Sequence, residues 1–158
     1  MKKYIFYLLM ILPFLACGCN QEDDVNEIFA NGQIWHWSGS YDTSNWKDDN
    51  NYKLTLNRSD LEKISKDQNV YNIQFVDDGT VTGNGQSFTF SGTWSADGGD
   101  SHAFYINIKP NRTPSGLDAT FFDEISNAKF YRGDSKVIKL VNMAKNHYIQ
   151  FYPKGFRD

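Results

Sequence analysis

The chain has 158 residues, a formal net charge of −3 and a pI near 5.5, with 40% apolar, 22% charged and 16% aromatic residues. One domain is the expectation at that length, and the apolar content with only 12 Gly and 4 Pro excludes disordered, collagen-like and low-complexity chains. The acidic balance argues against a nucleic-acid partner, which would call for a basic face to meet phosphate.

The first 18 residues read as an address. Met1-Lys2-Lys3 is a short basic start, and Tyr4 to Ala16 is an apolar run broken only by Pro13. The run falls short of the about 20 residues that cross a hydrocarbon core, and fits the secretory pattern. Both cysteines of the chain follow it, each behind a small residue: Ala16-Cys17 and Gly18-Cys19. This resembles the bacterial lipoprotein signal, in which the cysteine is diacylated and becomes the mature N-terminus. Neither cysteine has the preferred Leu three positions upstream. The acids Glu22, Asp23 and Asp24 just behind resemble the surface-export tag of Bacteroidota lipoproteins, and their register selects Cys19, with Cys17 as the alternative. Two cysteines one residue apart make poor disulfide geometry, and no other cysteine exists to build a framework. The organisation expected is a lipoprotein signal peptide over 1–18, an acidic tether over 19–30 and a folded domain over 31–158. Two acyl chains suffice for a stable anchor, so a membrane partner is expected, and the resemblance implies the outer membrane with the domain at the cell surface.

The domain reads mostly as strands. Ile34-Trp35-His36-Trp37-Ser38 alternates, with Trp35 and Trp37 on one face, and 42–51 is a polar loop carrying Trp46. Tyr52 to Leu56 alternates again. Ser59-Asp60-Leu61-Glu62 has the form of a capping box and predicts a short helix over 60–66. Tyr71, Ile73 and Phe75 alternate into Asp77-Asp78-Gly79-Thr80, the clearest hairpin signal in the chain. Val81 returns, Gly83-Asn84-Gly85 turns, and Phe88, Phe90, Gly92 and Trp94 share a face. Asp97 to Asp100 turns once more before Phe104, Ile106 and Ile108. From Leu117 the period becomes helical through Phe121, Ile125 and Ala128, with Asp118 in the first turn where the helix dipole favours an acid. A turn over 131–134 and strands over 136–141 and 148–152 close the chain. The fold class expected is α+β: seven or eight antiparallel strands curled into a half-open β-barrel, with one helix packed on the open side.

The motif set from Ile73 onward resembles the META domain of HslJ-like envelope lipoproteins. The matching residues are Ile73-x-Phe75-x-Asp77-Asp78-Gly79-Thr80-Val81-x-Gly83, Phe90-x-Gly92-x-Trp94, Phe121-Phe122-x-x-Ile125-x-x-Ala128, Tyr131-x-Gly133-Asp134, Ile138-x-Leu140 and Tyr148-Ile149-x-Phe151, with Trp35 as the opening Trp. The family's Gly-Cys-Asn signature is absent, Asn84-Gly85-Gln86 standing there instead, and 41–70 has no counterpart in it. The resemblance implies a META-like fold and an envelope setting, closest to small Bacteroidota lipoproteins, and it implies no reaction.

The residues themselves point away from catalysis. His36, His102 and His147 lie at no metal-ligand spacing, and no Gly-x-Ser-x-Gly elbow exists. The acids sit mainly in turns, where their side chains bond local backbone N–H groups. No metal, cofactor or catalytic residue is expected, and the protein is read as not an enzyme. Trp35, Trp37 and Trp94 read as core. Trp46 in its polar loop, with Tyr41 nearby, is the candidate platform for a sugar ring or protein partner. The expectation is a surface lipoprotein whose non-catalytic domain binds a glycan or protein partner; the alternative is a structural or stress-related envelope protein with no dedicated ligand.

Overall fold

The structure is a computed structural model describing residues 21–156. Cys17 and Cys19 lie outside the described residues. The first element, α1 (Gln21–Phe29), falls where a polar tether was expected through residue 30. Its Val25 and Phe29 are buried in the core, and the Trp35 indole donates to the Phe29 carbonyl (3.1 Å). The polar composition of this segment hid two apolar residues four apart, which share one helix face.

β1 (Trp35–Thr43) organises the sheet. It pairs along one side with β9 (His147–Pro153). Its other side is divided. Tyr41, Asp42 and Thr43 pair with β2 (Tyr52–Leu54), while Trp35 and His36 pair with β3 (Asn72–Phe75). Between these two partners lies α2 (Arg58–Lys66). Its cap is Asn57, whose side chain accepts from the Asp60 N–H (2.9 Å), so the expected Ser59 cap is displaced by two residues. Asn competes as well as Ser for this position, and here Asn57 has the extended backbone a cap needs.

From β3 the chain meanders through β4 (Thr80–Asn84), β5 (Thr89–Ala96) and β6 (Phe104–Pro110). The β3–β4 turn is the expected one. Gly79 takes φ +85, and Asp78 Oδ1 accepts from the Thr80 N–H (2.8 Å) and hydroxyl (2.6 Å). Those bonds hold the Asp78 carboxyl below its usual range. Gly92 is a close approach: a Cβ there would lie 1.9 Å from the Asn107 carbonyl oxygen of β6.

The longest helix, α3 (Leu117–Ser126), leads into β7 (Ala128–Gly133) and β8 (Ile138–Asn142). Ala128 therefore opens a strand instead of closing the helix, and Tyr131-Arg132-Gly133, expected as a turn, is paired with β8. The full sheet has nine antiparallel strands in the order β6-β5-β4-β3-β1-β9-β8-β7, with β2 beside β1.

The α+β class holds, but the half-open barrel does not. The sheet stays unclosed: its end strands meet only at the bridge Ala103–Phe130, beside the Tyr131 N–H bond to the His102 carbonyl (2.9 Å). Three helices are present among the described residues, α1 in addition to the two expected. α3 packs against strands from both halves of the sheet. Phe121 and Ile125 are fully buried, and the Phe121 ring lies 5.2 Å from Trp37 and within 6.2 Å of Tyr71, Phe90 and Phe151. A second aromatic nest surrounds Phe29, with Phe75, Trp94, Phe104 and Tyr131 at 5.1–5.6 Å. Such pairs add about 0.5–1.5 kcal/mol each beyond their buried area.

Candidate ligand-binding cleft

The divided side of β1 leaves a cleft. Where neither β2 nor β3 pairs with it, the segment 52–70 spans the gap, and α2 stands off the sheet. Of α2 only Ile64 is buried. The resulting cavity of about 390 Å³ is walled by Trp37 and Tyr41 of β1, Leu54 of β2, Leu61 of α2, and Tyr152 and Phe156 at the C-terminal end. Leu54 and Phe156 are 39% and 55% exposed, and neighbouring Tyr52 is 57% exposed. Exposed apolar side chains of this size, gathered at one opening, are unlike the scattered single ones of an ordinary surface.

The walls are held firmly. The His36 ring lies 2.9 Å from Asn72 Oδ1 and 3.1 Å from the Ile64 carbonyl, tying α2 to β1 and β3. Tyr41 stacks on Tyr148 (5.2 Å) and meets Tyr52 edge-on (5.4 Å), while Tyr152 and Phe156 stack at 5.4 Å. Burial, with Tyr41 beside it, pushes the Tyr148 phenol up to about 12. Arg58 and Glu62 pair at the rim (3.0 Å), both largely exposed.

Behind the cleft runs a polar chain that sequence reasoning did not find. The Trp37 indole donates to Ser40 Oγ (3.2 Å), the Ser40 hydroxyl donates to Glu124, and His147 bridges Glu124 (3.2 Å) and Asp42 (2.8 Å). The hydrogen bond to Glu124 raises His147 to about 9 against its burial, with Asp42 adding to the rise. Two carboxylates facing one ring favour its protonated form. Ser40 is fully buried and points its proton at a carboxylate. The set carries Ser, His and acids, yet it presents no nucleophile; it fastens α3 to β1 and β9. Residues this far apart in the chain give no local spacing signal. A similar long-range bond is made by Asp118, whose buried carboxylate accepts from the N–H groups of Gln86 (2.7 Å) and Ser87 (2.9 Å). Burial, then Asp118, pushes the Tyr71 phenol up to about 12.

The two residues singled out in the sequence pack on different partners. Tyr41 lines the cleft. Trp46 is half-buried elsewhere, against Phe130 (5.7 Å) and His102 (6.2 Å), with the Lys145 and Lys47 ammonium groups 5.2 and 5.7 Å from its ring. Its loop is moored by Asp49, which pairs with Lys139 (2.7 Å) and Arg132 (3.1 Å); the bond from Lys139 chiefly holds the Asp49 carboxyl below its usual range. Among the described residues no cluster of His, Cys, Asp or Glu could hold a metal, and no helix is long and apolar enough to cross a membrane.

An unclosed antiparallel sheet filled by one long helix, with a helix-bearing insertion off its central strand, defines the class of domain. A family model described as a domain of unknown function, DUF4847, matches residues 20–153, and the chain belongs to that family. It is similar to a crystal structure of a DUF4847 family protein from Bacteroides vulgatus ATCC 8482, at 33% identity over 85% of this chain and 99% of that one, with a TM-score of 0.63. No curated protein matches. The META resemblance is thereby overturned. Its motifs are hairpin turns and strand alternations that any antiparallel meander of this order would carry, and the departures, the missing Gly-Cys-Asn and the unmatched 41–70, mark a different family.

Proposed function

We propose that the protein is a lipid-anchored envelope protein of the outer membrane, exposed at the cell surface, whose domain is a non-catalytic binding module working through the cleft between α2, β1 and β9. The observation that carries this reading is the cleft itself: apolar and aromatic walls open to solvent, with a few fixed polar groups, as in binding sites generally. The occupant is a ring or apolar side chain of a glycan or protein partner, gripped by Tyr41, Leu54 and Phe156. The anchor rests on the Gly18-Cys19 step behind a short apolar run. Cys19 stands two residues ahead of α1, so an acyl anchor there would hold the domain close to the membrane face.

Two measurements test the proposal. Cys19→Ala is expected to release the protein from membranes and Cys17→Ala to leave it bound; the reverse moves the anchor to Cys17, and release by neither removes it. The probe 1-anilinonaphthalene-8-sulfonate is expected to bind the folded domain and to lose its fluorescence gain in Leu54→Ser and Phe156→Ser. Equal fluorescence in parent and variants would empty the cleft of its role.

A further inference from the structure

A different face carries a second set of unused groups. On the outer side of β3–β6, the register places Gln74, Thr82, Ser91 and Lys109 opposite one another in a single row across four strands. Strands lie about 4.8 Å apart, so the row runs for about 14 Å. Two positions along β6 from Lys109 stands Asn107, and two further Tyr105, a ring 56% exposed on the same face. The row floors an open concavity of about 920 Å³, rimmed by Asn69, Asn111 and Lys154.

Two features separate this surface from an ordinary wet sheet face. Beside Ile34, Ile73, Phe90 and Pro110, its lining holds amides, hydroxyls and two lysines but no carboxylate, in a chain whose net charge is −3. Among the described residues Lys109 makes no ion pair, and Lys154 bonds only the neutral side-chain oxygen of Asn69 (2.8 Å). The acids of the described residues lie off this lining, in turns, in the helices and in the His147 cluster. We propose that the face binds an acidic oligosaccharide lying across β3–β6. The amides and hydroxyls meet sugar hydroxyls, the two ammonium groups meet carboxylate or sulfate, and Tyr105 supplies a ring for a sugar to stack on. The inference is independent of the aromatic cleft.

The test is calorimetric titration of the domain with oligogalacturonate, heparin-derived oligosaccharide, neutral galacto-oligosaccharide and inorganic polyphosphate. At least one acidic oligosaccharide is expected to bind, the affinity falling with salt, and the neutral one to bind far more weakly. Lys109→Ala is expected to weaken binding by roughly tenfold, in the range for a lost charge-assisted hydrogen bond, and Ser91→Glu to abolish it. Both positions are exposed, so the fold is retained, with circular dichroism as the check. Leu54→Ser in the cleft is expected to leave this binding unchanged. Oligogalacturonate alone assigns uronic acids, and heparin alone assigns sulfated sugars. Polyphosphate binding as tightly as either, equal binding of the neutral chain, no binding at all, or indifference to Lys109→Ala and Ser91→Glu would each overturn the proposal.

Discussion

α2 and α3 both lean on β1, and they treat it in opposite ways. α3 buries Phe121 and Ile125 completely and is locked by Glu124 to Ser40 and His147. α2 buries Ile64 alone, places a largely exposed Arg58–Glu62 pair on its outer side, and leaves a cleft beneath it. The helices are of similar length, nine and ten residues, so length does not make the difference. What differs is the width of the apolar stripe. α3 reads Leu117, Phe121, Phe122 and Ile125; α2 has only Leu61 and Ile64. A wide stripe seals a surface and a narrow one can only roof it. The sealed side is packed, and the roofed side keeps a cavity.

The comparison is open to direct tests. Phe121→Ala should cost the most, about 3–5 kcal/mol in urea unfolding, the range for a buried Phe; a loss below about 1 kcal/mol would mean that α3 does not seal the core. His147 comes next. Its pKa in the folded state, about 9, lies above the ordinary 6.5, so the stabilisation is full below pH 6.5 and is lost as pH rises through 9. A thermal-melt series should show a decline on the order of 3 kcal/mol across that window, and His147→Gln should flatten it. A slope equally steep in the variant would assign it to other groups. On the roofed side, Ile64→Ala should cost about 2 kcal/mol, the low end for a buried Ile, because few groups pack behind it. A loss as large as that of Phe121→Ala would erase the contrast between the helices. Arg58→Ala should be the smallest change, within about 0.5 kcal/mol, since an exposed i,i+4 pair contributes little; chemical denaturation midpoints resolve whether it exceeds that.

The places where sequence reading worked are those where one short segment carries the whole cause. The Asp77-Asp78-Gly79-Thr80 turn is local: one glycine at positive φ and one carboxylate bonding its own neighbours. The inward faces of Trp35, Trp37, Phe90 and Trp94 follow from period-two alternation, and all four are buried. Phe121 and Ile125 were legible from helical spacing. By contrast, Ala128 and Tyr131 sit where a helix ends and a Gly-Asp turn begins, and their strand state comes from pairing with Asn142 and Leu140. Val25 and Phe29 looked isolated in an acidic stretch until a core existed to receive them.

The sequence by itself determined the antiparallel, turn-punctuated character of this domain and which faces of its strands turn inward, because alternation and turn chemistry act over a few residues. Tertiary structure decided the rest. The sheet stays open because its end strands, far apart in the chain, meet at one bridge without forming a ladder, and the His147 cluster forms because residues about a hundred positions apart meet on β1, β9 and α3. The cleft beside Tyr41 exists because β1 shares one edge between two strands that do not meet. The polar row on β3–β6 depends on register, which a shift of one residue in any strand would scatter to both faces.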